Sequence, residues 1–185
     1  MGTIKMKIDG KSVECEEGTT ILEAAKAADH EIKIPTLCYN EKLKPQGVCR
    51  LCMVEITKGN RKKLVASCVY PAEEGLIVET NTEEIRKIRR MLIELVWPSA
   101  QDLGREYGIE KSRFKPLHTD CSLCGLCVRY CTEIKRNNAL YFKGRGINRK
   151  VAFFPPHTDE CAYCEECFHL CTGGWIVNEM VKVLT

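Results

Sequence analysis

Eight of the thirteen cysteines fall in two copies of one run. The first is Cys121, Cys124, Cys127 and Cys131; the second is Cys161, Cys164, Cys167 and Cys171; both read C-x2-C-x2-C-x3-C. This repeat constrains the fold more than any hydrophobic pattern around it, because it obliges the chain to gather thiols in two tight groups. Structural zinc takes four ligands in a tetrahedron, and its ribbons use cysteine pairs. Here four cysteines lie within eleven residues, 121–131. Compact triplets suit a cubane, whose iron corners lie close together. A disulfide scaffold fits poorly, since 185 residues rich in Lys and Glu exceed such small domains.

The spacing resembles that of bacterial two-cluster ferredoxins. In those, three cysteines of a run hold one [4Fe–4S] cluster and the fourth ligates the other. The resemblance implies crossed sets. Cys121, Cys124, Cys127 and Cys171 would hold the first cluster; Cys131, Cys161, Cys164 and Cys167 would hold the second. Both fourth cysteines are followed by threonine, Thr132 and Thr172, where that family has proline. Threonine restores a backbone N–H and adds a hydroxyl, and hydrogen bonds to cluster sulfurs tune the potential. Glu165 and Glu166 bring negative charge into the second run. That charge should disfavour electron uptake and give the second cluster the lower potential of the pair. Between the runs, residues 139–142 and 151–154 flank the basic turn Lys143-Gly144-Arg145-Gly146. This predicts an inserted β-hairpin: a cover for one cluster, a docking surface, or plain structure.

The first 80 residues read differently. Short alternating runs at 6–8 and 12–15 are joined by Asp9-Gly10, a strong hairpin signal. Thr19 or Thr20 with Glu23 resembles a capping box, and apolar positions over 21–28 recur at helical spacing. Further strands are expected at 53–57, 64–67 and 76–79, with Lys58-Gly59-Asn60 turning between the first two. Two strands, a helix and more strands make a β-grasp arrangement. Set into it are Cys38, Cys49, Cys52 and Cys68, spaced C-x10-C-x2-C-x15-C. Separated cysteines with one close pair suit a [2Fe–2S] rhomb, each iron taking two thiolates. The first gap is longer than the plant-type C-x4-C, and separated thiolates also leave zinc open as the weaker alternative. Cys15 stands outside every set and is expected to be a small buried residue rather than a reactive thiol.

The stretch from Ile34 to Thr80, IPTLCYNEKLKPQGVCRLCMVEI onward to LVASCVYPAEEGLIVET, resembles the N-terminal module of the large iron–sulfur subunit of respiratory complex I. The same module is known in [FeFe]-hydrogenases and NAD-linked formate dehydrogenases. The resemblance spans nearly the whole chain. It implies an α+β architecture of three parts: a β-grasp [2Fe–2S] ferredoxin domain at 1–80, a helical linker at 81–118, and a bacterial-type 2[4Fe–4S] ferredoxin domain with its hairpin at 119–185.

In the linker, Thr82 should cap a helix with Glu83 and Glu84 in its first turn. Ile85, Ile88, Met91, Leu92, Leu95 and Val96 are expected to form its apolar face. Arg86, Lys87, Arg89 and Arg90 are assigned to solvent, and Pro98 to the helix end. The family usually carries a histidine and three cysteines here for a further [4Fe–4S] cluster. This chain runs almost directly from Trp97 to Leu103, so three clusters are expected. His118 is left without cysteine partners. His157 and His169 would ligate only if a cysteine were displaced.

The formal charge of +3 omits the clusters. Three oxidised clusters with their thiolates would add roughly −6, since bound metal centres are large local charges. The basic charge is therefore no sign of nucleic acid, and no Lys/Arg stripe alternates with aromatics. No apolar run approaches the ~18 residues needed to span a bilayer, and the N-terminus lacks a signal peptide's apolar segment; a reducing cytoplasm is expected. Phosphate-cradling glycines, Ser/His/Asp sets and nicotinamide or flavin fingerprints are all missing. The chain ends at Thr185 without the family's hydrogenase or molybdenum domain, so no substrate site is expected. By resemblance, it would be a non-catalytic electron-transfer subunit of an NAD(P)-linked, cytoplasmic hetero-oligomer. Its partners would be an NAD(P)H-binding FMN flavoprotein and a thioredoxin-like [2Fe–2S] subunit, with ferredoxin, hydrogenase or formate dehydrogenase beyond, in a complex that could bifurcate electrons at flavin. A free polyferredoxin carrier is the alternative, and a zinc-stabilised binding protein a third reading.

Overall fold

A computed structural model describes residues 2–28, 32–97, 99–114, 121–155, 161 and 163–184. The chain forms two compact units: Met1–Tyr39 with Pro45–Leu92, and Asn40–Lys44 with Ile93–Thr185. Pro98, His118 and His157, singled out in the sequence, lie outside the described residues.

The first unit holds β1 (Thr3–Ile8), β2 (Lys11–Glu16), α1 (Ile21–Ala28), β3 (Met53–Lys58), β4 (Arg61–Ala66) and β5 (Ile77–Glu79). The strands make one mixed sheet in the order β2-β1-β5-β3-β4. Strand β1 runs parallel to β5 and antiparallel to β2; β3 runs antiparallel to both β4 and β5. The β1–β2 turn needs positive φ, supplied by Asp9 at 49° and Gly10 at 81°. The Asp9 carboxylate also accepts the Thr80 N–H at 2.8 Å and its hydroxyl at 2.6 Å, tying the hairpin to the end of β5. Thr20 and Glu23 form the capping box of α1, with Thr20 N–H to Glu23 Oε2 at 2.9 Å and Glu23 N–H to Thr20 Oγ1 at 3.3 Å. Ile21, Ala24 and Ala25 of α1 are buried with Met6, Ile8, Val13, Val54, Ile56 and Val78 of the sheet. Each large side chain so buried contributes roughly 1.5–3 kcal/mol.

Helix α2 spans Glu83–Leu95, and Thr82 Oγ1 accepts the Ile85 N–H at 3.4 Å. Its faces differ from the sequence expectation. Met91 and Leu95 are 53% and 57% exposed, while Ile85, Arg89 and Ile93 are buried. Those three positions are four residues apart, and 3.6 residues per turn stacks them on one stripe. Arg89 therefore sits in the middle of the buried face, not in solvent.

In the second unit, α3 (Gln101–Glu106) is followed by α4 (Leu126–Arg129), which continues as a π-helix over Tyr130–Lys135. Strands β6 (Leu140–Lys143) and β7 (Lys150–Phe153) pair antiparallel as the expected hairpin. Helix α5 (Trp175–Leu184) follows, in a stretch where the sequence predicts no element. Leu126, Tyr130, Leu140, Val151, Ile176 and Met180 make the core with four buried cysteines. Leu43 belongs to that core too, and Lys44 O accepts Arg129 Nη2 at 2.8 Å. The long Cys38–Cys49 interval thus carries residues that count among those of the second unit. Glu94, largely buried, is held by a forked pair of bonds from Arg113. Among the described residues no helix is long and apolar enough to cross a membrane.

Candidate metal centres

None of the thirteen cysteines is in a disulfide. In the first unit, Cys38, Cys52 and Cys68 are buried and Cys49 is half-buried. They fall into two couples. The Cys52 and Cys68 sulfurs are 3.4 Å apart. The Cys49 N–H donates to Cys38 Sγ at 3.4 Å. Without metal, a hydrogen bond from the Cys38 thiol lowers Cys49 to about 5, helped by the Leu51 N–H. A hydrogen bond from the Cys68 thiol lowers Cys52 to about 7. Cys38 and Cys68 are pushed far up, first by those same bonds and then by burial. In each couple one sulfur is favoured as the thiolate and its partner as the thiol, so cations placed among them would favour ionising all four.

The loop between Cys49 and Cys52 is fixed at nearly every carbonyl. Arg50 takes the left-handed conformation at φ 61°. Arg89 Nε donates to Leu51 O at 3.0 Å and Arg89 Nη2 to Met53 O at 2.8 Å. Ser67 donates to Cys52 O through its N–H at 3.1 Å and its hydroxyl at 2.8 Å. Arg89 was not expected here; its place between Ile85 and Ile93 at four-residue intervals is the signal that marks it.

In the second unit, Cys127, Cys131, Cys161 and Cys167 are buried in the core, with Cys121, Cys124 and Cys171 packed against it. Their mutual effects divide them. Cys121 is raised by burial and then by the charges of Cys124 and Cys171. Cys127 is raised far by burial, then by Cys167, Cys124, Cys171 and Cys121. Burial pushes Cys161 up to about 11, with Cys131 and Cys164 adding to it. Burial likewise pushes Cys167 up to about 12, with Cys161, Cys131 and Cys164 next. Cys171 is thus felt at Cys121 and Cys127, and Cys131 at Cys161 and Cys167, while Cys167 is also the first charge felt by Cys127. A small cavity is lined by Cys131, Cys161, Cys164 and Cys167 together with Tyr130 and Leu140. The Ala139 N–H points at Cys131 Sγ at 3.2 Å. No three His, Cys, Asp or Glu donors among the described residues converge as a lone metal ion requires. Burial, acceptor sulfurs and inward N–H groups fit polynuclear clusters carried by thiolates.

A backbone reversal recurs at three cysteines. Arg50 follows Cys49, Gly125 follows Cys124 and Glu165 follows Cys164, with φ of 61°, 78° and 49°. Such reversals turn successive N–H groups into an anion-holding concavity. At Gly125, a Cβ would lie 3.2 Å from Phe142 Cζ, and Arg149 stacks on that ring at 3.9 Å. The hairpin therefore packs onto the first cysteine run. His169 is exposed. Cys15 is half-buried on β2, against the sheet core, and burial raises its thiol.

Residues 2–83 match the 2Fe-2S iron-sulfur cluster binding domain family. The NADH-ubiquinone oxidoreductase 75 kDa subunit of Reclinomonas americana is 31% identical over 95% of this chain and 29% of its own length. The mitochondrial NADH-ubiquinone oxidoreductase 78 kDa subunit of Candida albicans is 24% identical over 97% of this chain and 29% of its own. The chain thus spans less than a third of the length of these relatives. A chain in the crystal structure of an NAD+-reducing [NiFe]-hydrogenase in the H2-reduced state superposes with a TM-score of 0.70 at 30% identity, covering 82% of this chain and 75% of that one. A mixed α+β fold with a 2Fe-2S ferredoxin-type first unit, together with these matches, places the chain in the family of the N-terminal iron–sulfur module of the complex I large subunit.

Proposed function

We propose that this chain is an electron-transfer iron–sulfur subunit of a multi-subunit NAD(P)-linked oxidoreductase. It is organised as a β-grasp [2Fe–2S] domain at 1–80, a helical linker at 81–118 and a 2[4Fe–4S] ferredoxin domain at 119–185. Cys38, Cys49, Cys52 and Cys68 would hold the [2Fe–2S] centre, one iron to each sulfur couple. Cys121, Cys124, Cys127 and Cys171 would hold one [4Fe–4S] cluster, and Cys131, Cys161, Cys164 and Cys167 the other. The observation that supports this reading is the small cavity lined by Cys131, Cys161, Cys164 and Cys167, which sets the fourth cysteine of the first run beside three of the second.

Such clusters supply the storage and passage of single electrons. The chain's own contribution is to hold the sulfurs and shield them. Cys49 N–H and Ala139 N–H donate to sulfur; bonds of this kind favour the more negative state. Core packing around Cys127, Cys131, Cys161 and Cys167 keeps water away. The match to the 75 kDa subunit runs over 207 aligned positions, more than the 185 residues of this chain, so that relative carries residues this chain lacks. The count of three clusters rests on the sequence, which has no histidine or cysteine between Trp97 and Leu103.

The names of the relatives support an NADH-linked complex. The partners would be an FMN flavoprotein that binds NAD(P)H and a thioredoxin-like [2Fe–2S] subunit. Ferredoxin, hydrogenase or formate dehydrogenase would lie beyond, in a cytoplasmic complex that can bifurcate electrons. Anaerobic isolation of the tagged chain from its own cells tests this. The expected result is a co-purifying flavoprotein through which NADH reduces the chain's iron–sulfur signals. A chain that elutes alone and is not reduced by NADH contradicts the subunit reading and supports a free carrier.

A further inference from the structure

Between Glu133 and Asp159 the sequence holds six Lys or Arg and no Asp or Glu. Four of the six, Lys143, Arg145, Arg149 and Lys150, fall where β6 turns into β7, and every residue from 143 to 150 is exposed. Acidic side chains elsewhere in this unit are engaged with other cations: Glu133 with Arg129, Glu166 with Lys135 and Glu179 with Lys182. In the middle of the four charges stands Ile147, 72% exposed. The turn is shaped rather than slack. A Cβ at Gly144 would collide with Asn148 O, and the Asn148 and Arg149 N–H groups donate to Arg145 O and Gly146 O, each at 3.1 Å. A surface already held in one shape loses little freedom when a partner binds. Its base is tied to the first cysteine run. Leu140 and Val151 are buried in the core with Cys127. Arg149 stacks on the Phe142 ring at 3.9 Å, and that ring lies against Gly125, next to Cys124.

We propose that the β6–β7 turn is the docking surface for a small acidic electron-carrier protein, which exchanges single electrons with the chain through the cluster assigned to Cys121, Cys124, Cys127 and Cys171. The inference rests on that assignment and on the reading of the chain as an electron-transfer subunit. Charge selects the partner's sign, because a basic patch attracts a negative surface and repels a positive one. An apolar centre with a polar rim is the usual layout of a protein contact. Size selects the partner's kind. One turn of eight exposed residues offers far less surface than a permanent interface buries, and brief redox encounters use the smallest contacts. Charged rims act on the rate of encounter more than on affinity, which suits a carrier that has to leave again.

The test is stopped-flow oxidation of the cluster-loaded full chain, reduced with dithionite, by two oxidised carriers: a blue-copper protein of net negative charge and a c-type cytochrome of net positive charge. One electron passes from chain to carrier in each encounter, and no covalent bond changes. Arg145→Glu/Lys150→Glu reverses the turn. Lys7→Glu/Arg61→Glu makes the same change of net charge on exposed residues of the first unit. The rates are read at about 10 mM salt, where charges act over roughly 30 Å. The turn variant is expected to react about tenfold or more slowly than the parent with the acidic carrier, and no more slowly with the basic one. The control pair should stay within about threefold of the parent, and the contrast should fade at about 0.5 M salt. Equal losses in the two variants, or a turn variant as fast as the parent, overturn the proposal. So does loss of a co-purifying subunit from the turn variant isolated from its own cells, which would make the turn part of a fixed interface. Should the reversal disturb a cluster signal, Arg145→Gln/Lys150→Gln is measured in its place; slowing of about threefold is expected, and no slowing overturns the proposal. A parent chain that shows no iron–sulfur signal on reduction sinks the cluster assignment itself, and is told apart because it is seen before any carrier is added.

Discussion

The Tyr130 hydroxyl donates to Glu166 Oε2 at 3.2 Å, and Lys135 pairs with the other oxygen of the same carboxylate. Both partners belong to the π-helix that carries Cys131. Lys135 first, and Tyr130 after it, hold the Glu166 carboxyl below its usual range. The acidic charge that Glu165 and Glu166 bring beside Cys164 and Cys167 is thus half matched by a cation.

The consequence is a pair of opposed shifts in one potential. Glu166→Gln should raise the potential of the cluster assigned to Cys131, Cys161, Cys164 and Cys167. Lys135→Met should lower it, and the double variant should lie near the parent. The paired change Glu165→Gln/Glu166→Gln should shift it furthest upward. Redox EPR reads all four; an unmoved potential in Lys135→Met would show that this network is not felt at the cluster.

Glu165 occupies the position that Gly125 holds in the first run, directly after the second cysteine, and both have positive φ. A side chain there costs roughly 1–2 kcal/mol, which glycine avoids at a smaller entropic cost. Glu165→Gly should therefore stabilise the fold by about 1 kcal/mol. Thermal unfolding of the loaded chain checks it. A lower midpoint than the parent would mean that the Glu165 side chain contributes something its backbone strain conceals.

Leu43 is 4% exposed in the core that contains Tyr130 and Cys127. Leu43→Ala should destabilise by roughly 2–5 kcal/mol, the range for emptying a packed core site. Denaturant unfolding should show the loss, together with earlier release of the cubane absorbance. An effect below about 1 kcal/mol, typical of a surface position, would show that the segment 40–44 is not anchored.

The parts most legible in the sequence were those written as short intervals. The cysteine runs stand out because three ligands a few residues apart can cap three corners of one cluster, which makes the repeat itself the signal. Asp9-Gly10 and the Thr20/Glu23 box fix their turns and caps locally, and the observed hydrogen bonds follow. Arg89 was hidden because its helix face was judged by residue type, while the geometry of α2 placed it in line with Ile85 and Ile93. Its partners are carbonyls of a distant loop, which no spacing rule reveals. Leu43 was hidden for another reason: a single leucine in Glu41-Lys42-Leu43-Lys44-Pro45 has no period to betray a core. Among its described side chains, helix α5 buries Ile176 and Met180, too short a stripe to stand out beside the cysteines.

The central claim is that twelve cysteines hold one [2Fe–2S] and two [4Fe–4S] clusters. Iron, sulfide and zinc quantitation of the anaerobically isolated chain, joined to EPR after reduction, tests it most directly. The account predicts about ten irons per chain, as that cluster set requires, with three distinguishable paramagnetic centres. A colourless chain that carries zinc and stays EPR-silent on reduction would contradict it.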